Sequence, residues 1–406
     1  MFIIFLSLFL GLICGFFLSQ DFEILGINIF ILFQSIGQIF INALKMIVVP
    51  LIISALIYSI VSIKVNNKIN KIGAYTFSYY LLSSFIAICI GMFFVNTIKP
   101  GISDQENVLN NLGLSDNISK IDNFSLLSQQ YSIQSFFDLL IPNNILEAIV
   151  SGNMIAIVFF SILFGYALRS VKTSLNIVNF WEIIYHSMIK IMNYILMFLP
   201  IGIFCLIATS VSNWDSNTIS IISYYFATVL ISLLFYSFII LPLVLKIFGI
   251  NVRDHFSNIA PALISAFSTS SSMATIPITS RCLINQSKLP KENVNFIVPL
   301  GATINMDGTA LFECVVVIFI VQIYGFDISL SQQFLILFFA LITSVGVAGV
   351  PSASFVAIVL ILNTLGLPLD VLVILLGVDR ILDMSRTAVN VLGDSCCAAV
   401  VSSKIK

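Results

Sequence analysis

Charge is what this chain has least of. Of its 406 residues only 9% are Asp, Glu, Lys or Arg, against 59% hydrophobic. A water-soluble fold of this size needs a charged surface to stay dispersed. These residues could not build one, so lipid is the expected solvent for most of the chain. Neither sign is in excess: 18 basic and 19 acidic residues leave a formal net charge of −1. There is no basic stripe, which argues against a nucleic-acid partner. Cysteine is sparse and unpatterned. The seven cysteines stand singly or as Cys396-Cys397, mostly inside apolar runs and without metal-ligand spacing. They read as small apolar fillers, with no disulfides expected. The run Met1 to Leu18 lacks the basic start and clear cleavage site of a signal peptide, and further apolar runs follow it. It is expected to be the first span.

Long apolar runs are abundant. A crossing helix needs about 20 residues, and candidate spans lie at 1–19, 27–62, 73–98, 134–169, 180–211 and 217–248. The second and fourth are long enough to suggest tilt or a break, with Pro50 and Pro142 as candidate break points. Residues 99–133 form a polar Asn/Ser-rich stretch, the only sizeable loop. After residue 250 the apolar segments shorten. Polar, Gly- or Pro-containing clusters interrupt them at 265–279, 301–309 and 343–354. Non-helical backbone at membrane depth is tolerated only where it is buried or lines a cavity, so three interruptions in one half point to a binding site.

The basic residues test a topology. With a cytoplasmic N-terminus, 265–279 as a re-entrant tip from inside and 343–354 as one from outside, twelve Lys/Arg fall inside and only Lys99 and Lys120 outside. Such a bias fits the positive-inside rule, and either cluster read as a full crossing would spoil it.

The last apolar segment holds Asp379, Asp383, Arg386, Asn390 and Asp394. At 100° per residue they fall within an arc of about 80° on one helix face. Each ionisable group in a membrane helix costs at least about 2.5–3.5 kcal/mol, so such a stripe argues for a polar, functional interior over internal salt bridges that merely lock a bundle. Asn305-Met306-Asp307-Gly308-Thr309 interrupts the seventh span. Gly308 is expected to weaken the helix there and free carbonyl oxygens. Carbonyls with Asp carboxylates suit a small hard cation such as sodium; a kinked structural helix is the bland reading.

The Ser270-Ser271-Ser272 tip, Asn-Met-Asp-Gly-Thr, the Gly-Val-Ala-Gly-Val-Pro tip ending at Pro351, and Asp-x-x-Arg-Thr-x-x-Asn-Val-x-Gly-Asp over 383–394 occur in that order. Together they resemble the glutamate transporter family of dicarboxylate/amino acid:cation symporters, most specifically over 252–404. Tyr79-Tyr80-Leu81-Leu82-Ser83-Ser84 and Pro200-Ile201-Gly202 support the match upstream. The resemblance implies an all-α polytopic membrane protein with eight transmembrane helices, two re-entrant helical hairpins and inverted repeats. It implies a homotrimer in the lipid of the cell membrane, with cytoplasmic termini and an elevator mechanism. Residues 1–72 would be scaffold helices 1 and 2, and 73–133 transport-domain helix 3 with the polar extracellular loop. Scaffold helices 4 and 5 would be 134–211, transport-domain helix 6 would be 212–251, and the transport core 252–406.

By the same resemblance the cargo is an acidic amino acid, glutamate or aspartate, moved with sodium ions. Arg386 would clasp the side-chain carboxylate, Asp383 the ammonium group and Asn390 the α-carboxylate. Thr309, Thr387, the tip Ser270, Ser271 and Ser272, and the tip Val350, Pro351, Ser352, Ala353 and Ser354 would complete the pocket. A guanidinium binds a carboxylate bidentately, which agrees with the assignment. One sodium site would use Gly301, Asn305 and Asn390 carbonyls with the Asp394 carboxylate. A second would use Thr303, Met306, Ser344, Val345 and Val347, and a third Tyr80, Ser83, Ser84, Asn305 and Asp307. Met306 points to sodium, because proton-coupled relatives tend to carry Leu there. The chain departs from the pattern at Met273, where relatives carry Ser, and at Ser352 and Ser354, which replace the commoner Gly or Gln.

Two further residues stand out. Glu313 lies one turn after Thr309 in an apolar run and is a proton-coupling candidate; a neighbouring arginine could instead hold it ionised. Arg380 lies inside the last span, where an arginine is expected to find a carboxylate. Asp383 or Glu313 would serve, making Arg380 a modulating charge, whereas the plain alternative is snorkelling to the membrane surface. Among rival functions, Arg386 argues against neutral amino acids and Asp383 against plain C4-dicarboxylates. An intramembrane aspartyl protease needs Tyr-Asp and Gly-x-Gly-Asp; no Tyr precedes an Asp, and Val391 stands where the second motif needs Gly. Saturable, sodium-dependent uptake would separate a carrier from an ion channel.

Overall fold

The structure is a computed structural model. It describes residues 2–18, 22–24, 27–61, 67–102, 141–151, 154–171, 175–211, 216–326, 328–346, 354–365, 367 and 371–405. Helix α1 (Phe2–Phe17) leads through a two-stranded antiparallel ribbon, β1 (Glu23–Ile24) and β2 (Ile27–Asn28), into α2 (Ile29–Val61). Helix α3 (Asn67–Ile98) follows, then α4 (Ile145–Ser151), α5 (Met154–Ser170), α6 (Leu175–Met197) and α7 (Leu199–Val211). Among the described residues three apolar stretches are long enough to cross a membrane by length and composition: Lys71–Ile98, Ile219–Ile247 and Lys291–Ile323. Large apolar side chains such as Phe9, Phe17, Phe93 and Phe238 lie exposed on the outer surface, where lipid is the fitting solvent.

Several sequence expectations shift here. Pro50 does not break α2, which runs continuously from Ile29 to Val61. Opening the backbone at that depth would strand polar groups in apolar surroundings. Pro142 lies in the non-helical residues 141–144 ahead of α4, and the part of the expected run 134–169 before residue 141 lies outside the described residues. The expected run 180–211 begins at Leu175 and divides at Phe198, beside Pro200, into α6 and α7.

The C-terminal half packs around one helix pair. Helix α8 (Ser216–Phe235) passes through a π-helical turn, Tyr236–Ile240, into α9 (Leu241–Ile247). The first hairpin is α10 (Val252–Thr269) and α11 (Ser272–Arg281), followed by a π turn at Cys282–Gln286. Then come α12 (Lys291–Ile304), α13 (Asp307–Ile323), α14 (Leu330–Gly346), α15 (Ser354–Thr364) and α16 (Val371–Lys404). Every residue of α13 is buried, so this helix has no lipid face and forms the centre of the core. Helices α3, α8, α14, α15 and α16 surround it, while α1, α2, α5, α6 and α7 pack mainly with one another.

At the first hairpin tip, Ser270 adopts the left-handed conformation (φ 52°, ψ 34°) and ends α10. Ser271 is extended and accepts from the Ala274 amide at 3.2 Å, starting α11. The serine run is thus a helix stop followed directly by a helix start.

Candidate substrate and cation site

The break between α12 and α13 is narrower than the sequence suggests. Only Asn305 (φ −104°, ψ 94°) and Met306 (φ −121°, ψ 63°) leave the helical region, while Asp307, Gly308 and Thr309 begin α13. Gly308 therefore does not unwind the helix. A Cβ there would lie 2.7 Å from the Arg386 carbonyl oxygen, so the glycine allows α13 and α16 to touch backbone to backbone. Asn390 braces this contact. Its Oδ1 accepts from the Gly308 amide at 2.8 Å and the Thr309 amide at 3.3 Å, and its Nδ2 donates to Thr309 Oγ1 at 3.0 Å. An asparagine on α16 thus satisfies the open amides at the start of α13.

Two carboxylates flank the break. Asp394 Oδ1 accepts from Asn305 Nδ2 at 3.0 Å. It sits so close to Gly301 that any side chain there would collide with it. Asp307 is fully buried. Its Oδ1 accepts from Ser83 Oγ at 3.0 Å and Ser84 Oγ at 2.8 Å, and its Oδ2 from the Tyr236 hydroxyl at 2.8 Å. Ser83 Oγ also lies 3.2 Å from Asn305 Oδ1 and 3.2 Å from the Tyr80 carbonyl. The Tyr80 hydroxyl points elsewhere and donates to the Ile297 carbonyl at 2.9 Å. Among the described residues no cationic side chain pairs with Asp307 or Asp394. A cluster of oxygens around unpaired carboxylates has the chemistry of a hard-cation site.

Of the second expected cation set, Thr303 Oγ1 donates to the Leu300 carbonyl at 2.9 Å and Ser344 Oγ to the Leu341 carbonyl at 3.0 Å. Met306 is buried at the break and Val345 lies in the last turn of α14. Val347 lies outside the described residues, as do Val350, Pro351, Ser352 and Ala353 of the second tip.

A charged cluster lies further along α16. Arg386, 1% exposed, donates from Nη1 to Asp379 Oδ1 at 2.7 Å and from Nη2 to Asp383 Oδ1 at 2.8 Å. The Phe312 ring of α13 covers the guanidinium, 4.0 Å from centroid to Cζ. Arg380 is buried too, with Nη1 3.6 Å from Asp383 Oδ2 and Nε without a hydrogen-bond partner. It pairs with Asp383 and does not reach to the surface. Thr387 Oγ1 donates to the Asp383 carbonyl at 2.7 Å. Glu313 Oε2 accepts from Thr343 Oγ1 at 2.6 Å, and its Oε1 is buried without a partner. Among the described residues no arginine is ion-paired with Glu313. The hydroxyls of Ser270 and Ser354, one at each hairpin, are also buried and unpartnered, while Ser271 and Ser272 are buried at the first tip.

Comparison with known proteins gives the family. The sodium:dicarboxylate symporter family matches residues 1–404. The chain belongs to that family. It is 34% identical over 402 residues to the proton/sodium-glutamate symport protein of Bacillus caldotenax, covering 98% of this chain and 93% of the relative. Identity to the proton/glutamate-aspartate symporter of Escherichia coli (strain K12) is 32% over 401 residues, 98% of this chain and 90% of that one. Excitatory amino acid transporter 3 of Mus musculus is 32% identical over 441 residues, 98% and 84% of the two chains. This member of the family is a multi-pass membrane protein and a transporter, not an enzyme.

Three features of the buried polar clusters escaped sequence reasoning. Tyr236 lies on a separate helix, 71 positions from Asp307. Its one local signal is the nearby Pro242, which disturbs helical bonding. Asp379 was visible in the α16 stripe, but its choice of Arg386 as partner was not. Thr343 showed no signal at all.

Proposed function

We propose that the chain is a sodium-coupled secondary-active symporter that carries glutamate or aspartate across the cell membrane. The observation that carries this reading is the pairing of two unlike buried clusters. One is an arginine held by two aspartates; the other is a pair of aspartates with no cationic partner among the described residues. An acidic amino acid brings two carboxylates and an ammonium, which match Arg386 and Asp383. Asn390 uses one of its two Nδ2 hydrogens on Thr309, leaving the other for the α-carboxylate. Sodium ions, as cargo, would supply the positive charge that Asp307 and Asp394 lack. The three cation sets follow the resemblance, with Tyr80, Ser83, Ser84, Asn305 and Asp307 having the clearest geometric support.

Glu313 carries a proton in this reading; its unpartnered Oε1 and single hydroxyl donor support it. Arg380 modulates the charge on Asp383 without touching substrate. The preference of the peripheral helices for one another supports a scaffold separate from a moving core, and thus an elevator. The family resemblance supports the homotrimer, eight spans and two re-entrant hairpins, and the lysine/arginine bias supports cytoplasmic termini. The test is uptake of radiolabelled glutamate and aspartate by proteoliposomes containing the purified chain. An inward sodium gradient should drive saturable accumulation. Equal uptake with choline in place of sodium would refute the coupling.

A further inference from the structure

The Asp307 carboxylate has two differently used edges. Oδ1 faces Ser83 Oγ, Ser84 Oγ and, through Ser83, Asn305 Oδ1 and the Tyr80 carbonyl. With Oδ1 itself that makes five oxygens, from α3, the break at Asn305 and α13. Oδ2 accepts from the Tyr236 hydroxyl at 2.8 Å and lies beside Gly393, where an added Cβ would stand 2.6 Å from it. We propose that Tyr236 is a positioning residue for the cation site: it anchors Oδ2 and so holds Oδ1 toward the oxygen cluster.

The backbone is shaped for this contact. Pro242 has no amide hydrogen, and its ring would press on the carbonyl one turn back. The helix widens instead, and the Leu241 amide bonds to the Tyr236 carbonyl across a π turn. Such turns occur mostly as single insertions and often at functional places. Here it sets a fully buried tyrosine opposite the break between α12 and α13. The hydroxyl has a second acceptor, the Ser83 carbonyl at 3.3 Å, which ties the same ring to α3. Ser83 has one proton and three acceptors within 3.2 Å. When a cation arrives it can turn that proton to the Tyr80 carbonyl and present a lone pair. Tyr236 need not move, because its bond lies on the far edge of the carboxylate.

The inference rests on the sodium-symport reading above, and the experiment separates the two. Tyr236→Phe removes one hydroxyl and keeps the ring. In proteoliposomes, its half-saturating sodium concentration should rise about tenfold or more, as for loss of a hydrogen bond to a charged group. The substrate KM at saturating sodium should stay within twofold of wild type. Tyr225→Phe is the control. It removes a hydroxyl that is buried without a partner on α8, and its sodium dependence should not change. If wild type needs sodium but Tyr236→Phe has the same half-saturation, or weakens substrate KM equally, the tyrosine is not a positioning residue. If wild type transports without sodium, the symport reading itself fails. Should Tyr236→Phe not fold, Gly393→Ala, whose methyl would displace Oδ2 from the Tyr236 hydroxyl, is read by the same titration. A raised half-saturation supports the proposal, and an unchanged one overturns it.

Discussion

Arg386 shows how a membrane interior holds a full charge. Two carboxylates within one and two turns of the same helix neutralise it, and an aromatic face covers it. Such a group is stable only while paired, and in the proposed function it exchanges an internal carboxylate for one on a substrate. Arg386→Cys would leave that substrate carboxylate buried without a partner, at a cost of about 3–5 kcal/mol, roughly two to three orders of magnitude in affinity. Competition against labelled aspartate uptake should show this loss; native affinity in the variant would reassign the residue. Glu313 is the opposite case. It has one hydroxyl donor and a bare Oε1, with no ion-paired arginine among the described residues. Glu313→Gln should preserve exchange of labelled for unlabelled substrate while abolishing net uptake driven by a pH gradient. An unchanged response to pH would remove the proton role.

At the scale of elements, close approach governs the site. Helices α13 and α16 meet where Gly308 has no side chain, and Asn390 then reaches the first amides of α13. Gly308→Ala would push its methyl against the Arg386 backbone, which cannot yield as a flexible side chain would. Overpacking of this kind costs about 1–3 kcal/mol. The variant should melt at a lower temperature in detergent and bind substrate more weakly. Gly73→Ala meets only the Phe296 ring at 3.6 Å and should leave both properties unchanged. If Gly308→Ala matches wild type in both, the tight crossing is not what assembles the site. Helix ends matter equally. The break at Asn305 and Met306 and the tip at Ser270 place polar backbone in the core only where neighbouring elements bury it.

For the whole molecule, the scarcity of charge becomes a matter of placement. Asp307, Glu313, Asp379, Arg380, Asp383, Arg386 and Asp394 are all buried around α13 and α16. The outer surface carries phenylalanine and other large apolar side chains instead. That is the inverse of a soluble protein, and it follows from a solvent that cannot hydrate ions. The peripheral helices keep mostly to themselves. They meet the core at a few places, among them α7 against α16 and Tyr185 of α6, whose hydroxyl lies 3.9 Å from Met273 Sδ at the first tip. Met273 thus lies on the seam between the two groups.

Much was legible in the residues alone. Composition set the solvent, run length placed long apolar helices such as α2, α3 and α8, and helical spacing put Asp379, Asp383, Arg386, Asn390 and Asp394 on one face. These are local properties, fixed by periodicity and by the cost of charge in lipid. Where proline breaks a helix was not legible, because Pro50 and Pro142 differ in surroundings and not in chemistry. Nor was the function of Gly308, which depends on a helix 78 positions later in the chain, at Arg386. The partners inside the polar core were decided by tertiary structure. Asp379 and Asp383 are both within reach of Arg386, and Tyr236 reaches Asp307 only because a π turn and the packing of α8 bring it there. Hydrogen bonds in a closed, water-poor interior are settled by which donors arrive, and donors arrive from elements far apart in sequence.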